Sequence, residues 1–164
     1  MKTKSLLLVL VTFLEIQANQ AQKNIPDVAL KTLEGKNTSI LSEIDNEKIT
    51  VLSFWATWCV PCINELDAIS DIYEQWQEDL NVEVIAVSTD DSRTQKRIRP
   101  MINGKGWEYK ILLDKNNDLK RALNISAIPH TIIIKGKNIL YRRSGYSAGV
   151  EDELHDFIKK NTGK

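Results

Sequence analysis

Two cysteines three positions apart are the residues of this 164-residue sequence best suited to chemistry. Cys59 and Cys62 follow the β-rich apolar run 49–55 and precede an amphipathic stretch, which predicts a strand, a turn and a helix that begins at the cysteines. Unpaired backbone N–H groups and the positive end of the helix dipole would stabilise a thiolate there. Pro61 fits the first helical turn, where its missing N–H costs nothing. The sequence therefore predicts an exposed nucleophile, Cys59, and a more buried resolving thiol, Cys62.

Three other uses of the cysteine pair fit the residues less well. A metal site needs more ligands, and His130 and His155 are not spaced like a zinc pair, so we expect no bound metal. A structural disulfide that closes so short a loop would remove little chain entropy from the unfolded state. A peroxidatic cysteine, as in peroxiredoxins, calls for Thr or Ser three positions before it and Pro seven before it. Those positions hold Ala56 and Leu52.

The overall composition is that of one ordinary globular domain. Hydrophobic residues make up 42% and charged residues 27%, and 22 Lys and Arg balance 22 Asp and Glu. Binding to nucleic acid needs a basic excess, so this balance argues against a nucleic-acid partner. Two cysteines cannot form the disulfide framework of small secreted proteins, so an apolar core must hold the fold.

The N-terminal residues form a pattern typical of a secretory signal peptide. Two lysines precede the apolar run Leu6–Leu14, which is far shorter than the roughly 20 residues of a membrane-spanning helix. Ala18 and Ala21 follow this run and are the two candidate cleavage positions, although neither is a clean small-x-small match. We expect a signal peptide over residues 1–21 and an exported, periplasmic protein without a stable membrane span after cleavage. Disulfides persist in that compartment. An uncleaved anchor or a buried N-terminal helix is the alternative.

The rest of the chain alternates β-rich and helical patterns. Strand–helix–strand connections followed by a terminal hairpin and helix predict a mixed sheet covered on both faces. The expected strands are 49–55, 82–88, 109–113, 131–135 and 139–142, with a small hairpin over 27–41; the expected helices run from the cysteines through Trp76, from about 90 to 103, over 118–123, and from Val150 onward.

The residues around the cysteines resemble the active site of the thioredoxin superfamily. The matching run is Phe54-Trp55-Ala56-Thr57-Trp58-Cys59-Val60-Pro61-Cys62. With the signal sequence, Glu65 and the run 87–91, it is similar to the TlpA/ResA-like exported thiol–disulfide oxidoreductases over about residues 25–160. The resemblance implies an α/β, thioredoxin-like fold for residues 22–164. This fold has a mixed central sheet with helices on both faces, an N-terminal β-hairpin extension and an insertion around 89–113.

The implied activity is thiol–disulfide exchange with partner proteins. Cys59 attacks a partner disulfide, a mixed disulfide forms, and Cys62 resolves it. Reduction in the periplasm is the expected direction, and the alternatives are a disulfide-forming oxidant or a non-catalytic, redox-dependent binding module. The expected partners are protein disulfides or dithiols and an upstream thiol electron donor. No cofactor is expected beyond the redox-active disulfide Cys59–Cys62.

The resemblance also implies a surface that binds the substrate. Ile128 and Pro129 look like the cis-proline turn of the family, which in relatives offers backbone groups to an incoming substrate segment. Trp58 and Pro61 complete the expected substrate-binding set, with Trp58 at the rim of the site. His130 is expected to be a partly exposed residue at the start of a strand rather than a catalytic base.

An acid–base group is needed because burial raises the pKa of Cys62, which must lose a proton to resolve the mixed disulfide. Thioredoxin has a buried aspartate six residues before its first cysteine, but Ser53 stands there and cannot accept a proton at neutral pH. Glu65 lies three residues after Cys62 on the same helix face, and the resemblance places a functional glutamate there. A solvated helix glutamate is the alternative. Many relatives also have a proline where this sequence has Asp67, which puts a helix kink in doubt.

Overall fold

A computed structural model describes residues 23–162, so the predicted signal peptide over 1–21 lies outside the described residues. The described segment alternates strands and helices, as the sequence predicts. The strands are β1 (Ala29–Thr32), β2 (Asn37–Ser39), β3 (Ile49–Trp55), β4 (Val82–Ser88), β5 (Lys110–Leu113), β6 (His130–Lys135) and β7 (Asn138–Ser144). The helices are α1 (Ile40–Glu43), α2 (Val60–Ser70), α3 (Tyr73–Leu80), α4 (Ile98–Lys105), α5 (Asp118–Ala122) and α6 (Val150–Thr162).

Within residues 23–162 the strands form one mixed sheet in the order β2-β1-β5-β4-β3-β6-β7. β3 pairs with β4 in parallel and with β6 antiparallel, and β4 pairs with β5 in parallel. β1 pairs antiparallel with both β2 and β5, so residues 27–41 contain the hairpin and attach it to the sheet. The loops that follow β3, β4 and β5 leave the sheet at the same edge, because these three strands run in the same direction.

A separate apolar core covers each face of the sheet. All seven residues of β3 are buried, which explains why this strand has almost no polar side. Alternate residues of the strand point to opposite faces. One core joins the sheet to α2, α3 and α6 through residues that include Val51, Val84, Ile133, Leu66, Trp76 and Leu154. The other joins it to α1 and α5 through residues that include Leu52, Phe54, Ile85, Ile132, Ile40 and Leu119.

The predicted helix after the cysteines is two helices. α2 ends at Ser70 and α3 begins at Tyr73. Between them the Ile72 N–H donates to the Ile69 carbonyl over 3.2 Å, a tight i→i−3 bond, and Ile72 leaves the helical region of backbone space at φ −122° and ψ 7°. The apolar spacing continues across this break, so periodicity identified the buried face but not the interruption.

Pro100 inside the predicted helix from about 90 to 103 indicates a shorter or kinked helix, and the helix is indeed shorter. A 3-10 turn over Gln95–Arg97 leads into α4, which begins at Ile98. Pro100 lies in the first turn of α4, where backbone N–H groups have no intrahelical partner, so the proline does not disrupt the helix. Gly106 ends α4 with φ +68°, a left-handed conformation that glycine adopts without strain. None of the helices between residues 23 and 162 is long and apolar enough to cross a bilayer.

Candidate active site

Cys59 and Cys62 are joined by a disulfide at the start of α2. Their Sγ atoms are 2.04 Å apart and their Cα atoms 5.3 Å apart. Cys59 is the N-cap residue of α2, and Val60 and Pro61 form the beginning of its first turn, as predicted. The pair therefore meets the unpaired N–H groups and the positive end of the dipole of an 11-residue helix.

The structure corrects the prediction that Cys59 is exposed. In the disulfide form Cys59 is only 5% exposed and Cys62 is fully buried. The bond to Cys62 holds Cys59 against the core, and the surface around it belongs instead to Trp58 and Val60, which are 59% and 65% exposed. The predicted order is retained, since Cys59 remains the less buried sulfur-bearing residue.

Asp90 fixes the loop that carries the cysteines. This carboxylate is 2% exposed and accepts hydrogen bonds from the Thr57 backbone N–H over 2.9 Å and from Thr57 Oγ1 over 2.7 Å. The Ser88 hydroxyl also donates to it over 2.9 Å, and the Thr89 N–H donates to the Trp55 carbonyl over 2.8 Å. Asp90 therefore joins the loop after β4 to the loop after β3. The sequence did hold one signal for this role of Asp90: a carboxylate just after β4, the strand next to the one that leads to the cysteines.

The Ile128–Pro129 peptide bond is cis and lies at the edge of the sheet where the cysteine loop leaves it. Phe54, near the end of β3, is paired with His130 at the start of β6. The Gly145 N–H donates to the Pro129 carbonyl over 2.8 Å and holds this turn in place.

His130 takes no part in the arrangement around the disulfide. Its Nδ1 lies 2.7 Å from Ser144 Oγ, and burial together with Arg142 lowers its pKa. Because side chains alternate along a strand, it points to the sheet face opposite that of Thr131. It is half-buried at the start of β6, in keeping with the expected non-catalytic position.

Glu65 is fully buried, which excludes the solvated helix glutamate that the sequence left open. Thr131 Oγ1 donates a short hydrogen bond to Oε1, and Ser53 Oγ donates to Oε2 over 3.4 Å. Burial raises the pKa of Glu65 to about 7, while these two hydrogen bonds and the charge of Arg143 oppose the shift. The carboxyl group thus reaches Ser53, the strand position that holds the aspartate in thioredoxin, from the neighbouring helix.

Asp67 ties α2 to the end of α4 and the loop after it. Its carboxylate accepts a hydrogen bond from Trp107 Nε1 over 3.0 Å and forms an ion pair with Lys105 over 2.5 Å. The Trp107 and Trp55 rings pack edge-on with their centroids 5.2 Å apart, in the same core as the disulfide. α2 continues past Asp67 to Ser70, so this position supports the helix from outside rather than interrupting it.

The arrangement can transfer two electrons through sulfur and one proton through a carboxyl group. A dithiol at a helix start supplies the nucleophile, and a buried acid whose pKa lies near 7 can exchange a proton at neutral pH. Among residues 23–162, no group of three or more His, Cys, Asp and Glu side chains could hold a metal ion.

Comparison with known proteins decides the family. The chain matches the sequence profile of the AhpC/TSA family over residues 21–143. It belongs to that family. The chain is 31% identical over 122 residues to the thioredoxin-like protein YneN of Bacillus subtilis, covering 74% of this chain and 69% of the relative. It is 30% identical over 147 residues to the sporulation thiol-disulfide oxidoreductase A of the same organism, covering 84% and 87%.

A solved structure agrees with these relatives. A thioredoxin-like protein from Porphyromonas gingivalis superposes with a TM-score of 0.76 at 40% identity, covering 87% of this chain and 93% of that one. The predicted thioredoxin-like fold and the predicted oxidoreductase family are both confirmed. This AhpC/TSA protein is an enzyme, a thiol–disulfide oxidoreductase of the thioredoxin superfamily.

Proposed function

We propose that this AhpC/TSA protein reduces disulfide bonds in partner proteins outside the cytoplasm, with Cys59 as nucleophile, Cys62 as resolving thiol and Glu65 as the acid–base group. The observation that carries the proposal is the buried Glu65 carboxyl group one helical turn after a cysteine pair at a helix start. A disulfide that served only to hold the fold would not need, one helical turn away, a carboxyl group whose pKa lies near 7.

In the first step the reduced enzyme attacks its partner. The Cys59 thiolate forms a bond to one sulfur of the partner disulfide, and the partner S–S bond breaks. The second partner sulfur leaves as a thiolate and takes up a proton. The product is a mixed disulfide between Cys59 and the partner.

In the second step Cys62 resolves the mixed disulfide. The Cys62 thiol passes its proton to the Glu65 carboxylate and attacks the Cys59 sulfur, and the partner leaves as a second thiolate. The enzyme has then given two electrons to the partner and holds the Cys59–Cys62 disulfide. An upstream dithiol donor reverses these two steps on the enzyme and restores the reduced pair.

Four further residues are proposed to bind the substrate. Trp58 presents an exposed aromatic surface immediately before Cys59, and Pro61 lies in the turn between the cysteines. Ile128 and Pro129 lie at the same edge of the sheet, where an extended partner segment could pair with backbone groups. A segment bound there would hold its disulfide against Cys59.

The proposed location follows from the sequence. A charged start, a short apolar run and small residues at 18 and 21 support export by a cleaved signal peptide, followed by action in the periplasm. A disulfide such as Cys59–Cys62 persists in that compartment.

Reduction of insulin by dithiothreitol tests the proposed function. We expect the wild-type protein to accelerate insulin precipitation. With the Cys59→Ser variant, insulin should precipitate no faster than with dithiothreitol alone, because the nucleophile is lost. A Ser92→Ala variant, at an exposed position on the loop after β4, is the matched control and should behave as wild type. A wild-type protein that binds insulin but does not accelerate its reduction would instead be a redox-dependent binding module.

A further inference from the structure

The charges of this protein are unevenly distributed although they cancel over the whole sequence. In the segments 91–99 and 114–121, Lys and Arg number seven and Asp and Glu three. One of those acids, Asp114, is buried and accepts hydrogen bonds from backbone N–H groups of α5. The two segments follow β4 and β5, at the edge of the sheet where the cysteine loop leaves β3. A basic surface therefore lies next to the disulfide.

A groove of about 390 Å³ opens on this surface. Trp58 forms one wall, and Arg93 and Lys120 are among the residues on the others. Because Trp58 directly precedes Cys59, a chain that enters the groove passes beside the disulfide. The groove lies outside the carboxyl ends of three parallel strands, a common position for ligand sites in α/β folds. It is also on the opposite side of β3 from β6 and the Ile128–Pro129 turn.

The charge within the groove is positive. Arg93 is paired with Asp91 through Nε at 2.8 Å and Nη2 at 2.6 Å, so these two charges offset each other. The Lys120 amine has no ion-pair partner among the residues that the structure describes. One positive charge therefore remains at the groove, and Lys96, Arg97 and Lys115 lie exposed on the two segments that frame it.

We propose that this groove, defined by Trp58, Arg93 and Lys120, binds an acidic segment of the partner protein next to the partner's disulfide. The inference rests on the proposed function and adds a substrate class to it: partners with Asp or Glu near the cysteine that Cys59 attacks. Complementary charge speeds encounter and fixes the register of the bound segment.

A polypeptide fits this position better than an anionic membrane surface. Arg93 and Lys120 line a concave groove of about 390 Å³, which is large enough for side chains. A bilayer lying over Trp58 would also cover the disulfide and keep partner proteins from reaching it. The occupant must leave Cys59 accessible to a second sulfur, and an extended segment that carries that sulfur meets this condition.

Two synthetic disulfide peptides test the proposal. They share one sequence, except that one has Asp and Glu beside the cysteine and the other has Asn and Gln. The wild-type protein should reduce the acidic peptide with a kcat/KM about fivefold higher at low salt, and this preference should fall as added salt screens the charges. Lys120→Glu should abolish or invert the preference. Lys135→Glu, the same change at the opposite end of the sheet, should retain it.

The outcomes separate this inference from the proposed function. If the wild-type protein reduces both peptides equally well, and Lys120→Glu changes nothing, the acidic-segment proposal is wrong while disulfide reduction stands. If neither peptide is reduced, the proposed function itself fails. If Lys120→Glu weakens binding to vesicles containing anionic lipid but leaves the peptide preference intact, the groove is a membrane contact and the proposal is overturned.

Discussion

A Cys62→Ser protein should stop at the mixed disulfide and accumulate a covalent complex with its partner. Cys59 retains its position at the start of α2 and can still attack, but no second thiol remains to release the partner. We expect turnover in the dithiothreitol-coupled assay to fall on the order of a thousandfold or more. Non-reducing electrophoresis and mass spectrometry of the adduct would measure the accumulation.

The matched control for this trap is Cys59→Ser. That protein should be as inactive as Cys62→Ser but should form no adduct, because the remaining Cys62 is buried in the core. The reverse pattern, with an adduct on Cys62 and none on Cys59, would show that the two roles are assigned the wrong way round. The trapped partners would also show whether acidic residues flank their cysteines.

Glu65→Gln should slow resolution of the mixed disulfide about a hundredfold at neutral pH, the usual contribution of a general base. Only the carboxylate form accepts the proton of Cys62, and with a pKa of about 7 that form increases as pH rises through neutrality. The wild-type rate should therefore show an inflection near pH 7 that the variant lacks. Stopped-flow measurement of mixed-disulfide decay from pH 5 to 9 gives the profile. A wild-type rate with an unchanged profile would remove Glu65 from the mechanism.

The same substitution should change the pH dependence of stability. Burial raises the pKa of folded Glu65 from 4.5 to about 7, so the folded state binds this proton more tightly than the unfolded chain does. The free energy of unfolding of the wild-type protein should then fall by about 3 kcal/mol as pH rises from 4.5 to 7. The Glu65→Gln variant should not show this fall, because glutamine does not titrate. Glu65→Gln should be the more stable protein at pH 8 in urea unfolding. Glu74→Gln, on the exposed face of α3, is the control and should not change the slope.

The elements that position the site could be predicted because their signals are local. The buried run of β3, the cysteine pair and Pro61 lie within 14 residues of one another, and together they predict strand, turn and helix. The burial of Trp76 could also be predicted, from the helical spacing of the apolar residues after Cys62. The break between α2 and α3 did not, because apolar periodicity is the same on both sides of it.

Contacts between distant segments could not be predicted. Asp90 and Thr57 are 33 residues apart, and Thr131 and Glu65 are 66 apart, so no local pattern connects them. The sequence could place Glu65 one turn after Cys62 but could not show its burial, which depends on how α2 packs against the sheet and Thr131. The prediction that Cys59 is exposed was wrong for a related reason, since the neighbouring loops decide how far a residue at a helix start is buried. The basic groove could not be predicted from the net charge, because the net charge sums over the whole chain and does not show where the charges lie.

The reduction potential of the Cys59–Cys62 pair tests the central claim, reduction of partner disulfides, most directly. Neither Val60 nor Pro61 is a cation or a histidine, so little beyond the helix start stabilises the Cys59 thiolate, and a less stabilised thiolate makes a less oxidising disulfide. Equilibration with glutathione buffers, read by mass spectrometry after alkylation, should give a potential below about −200 mV. A value near −120 mV, typical of a strong oxidant, would contradict the assignment as a reductase.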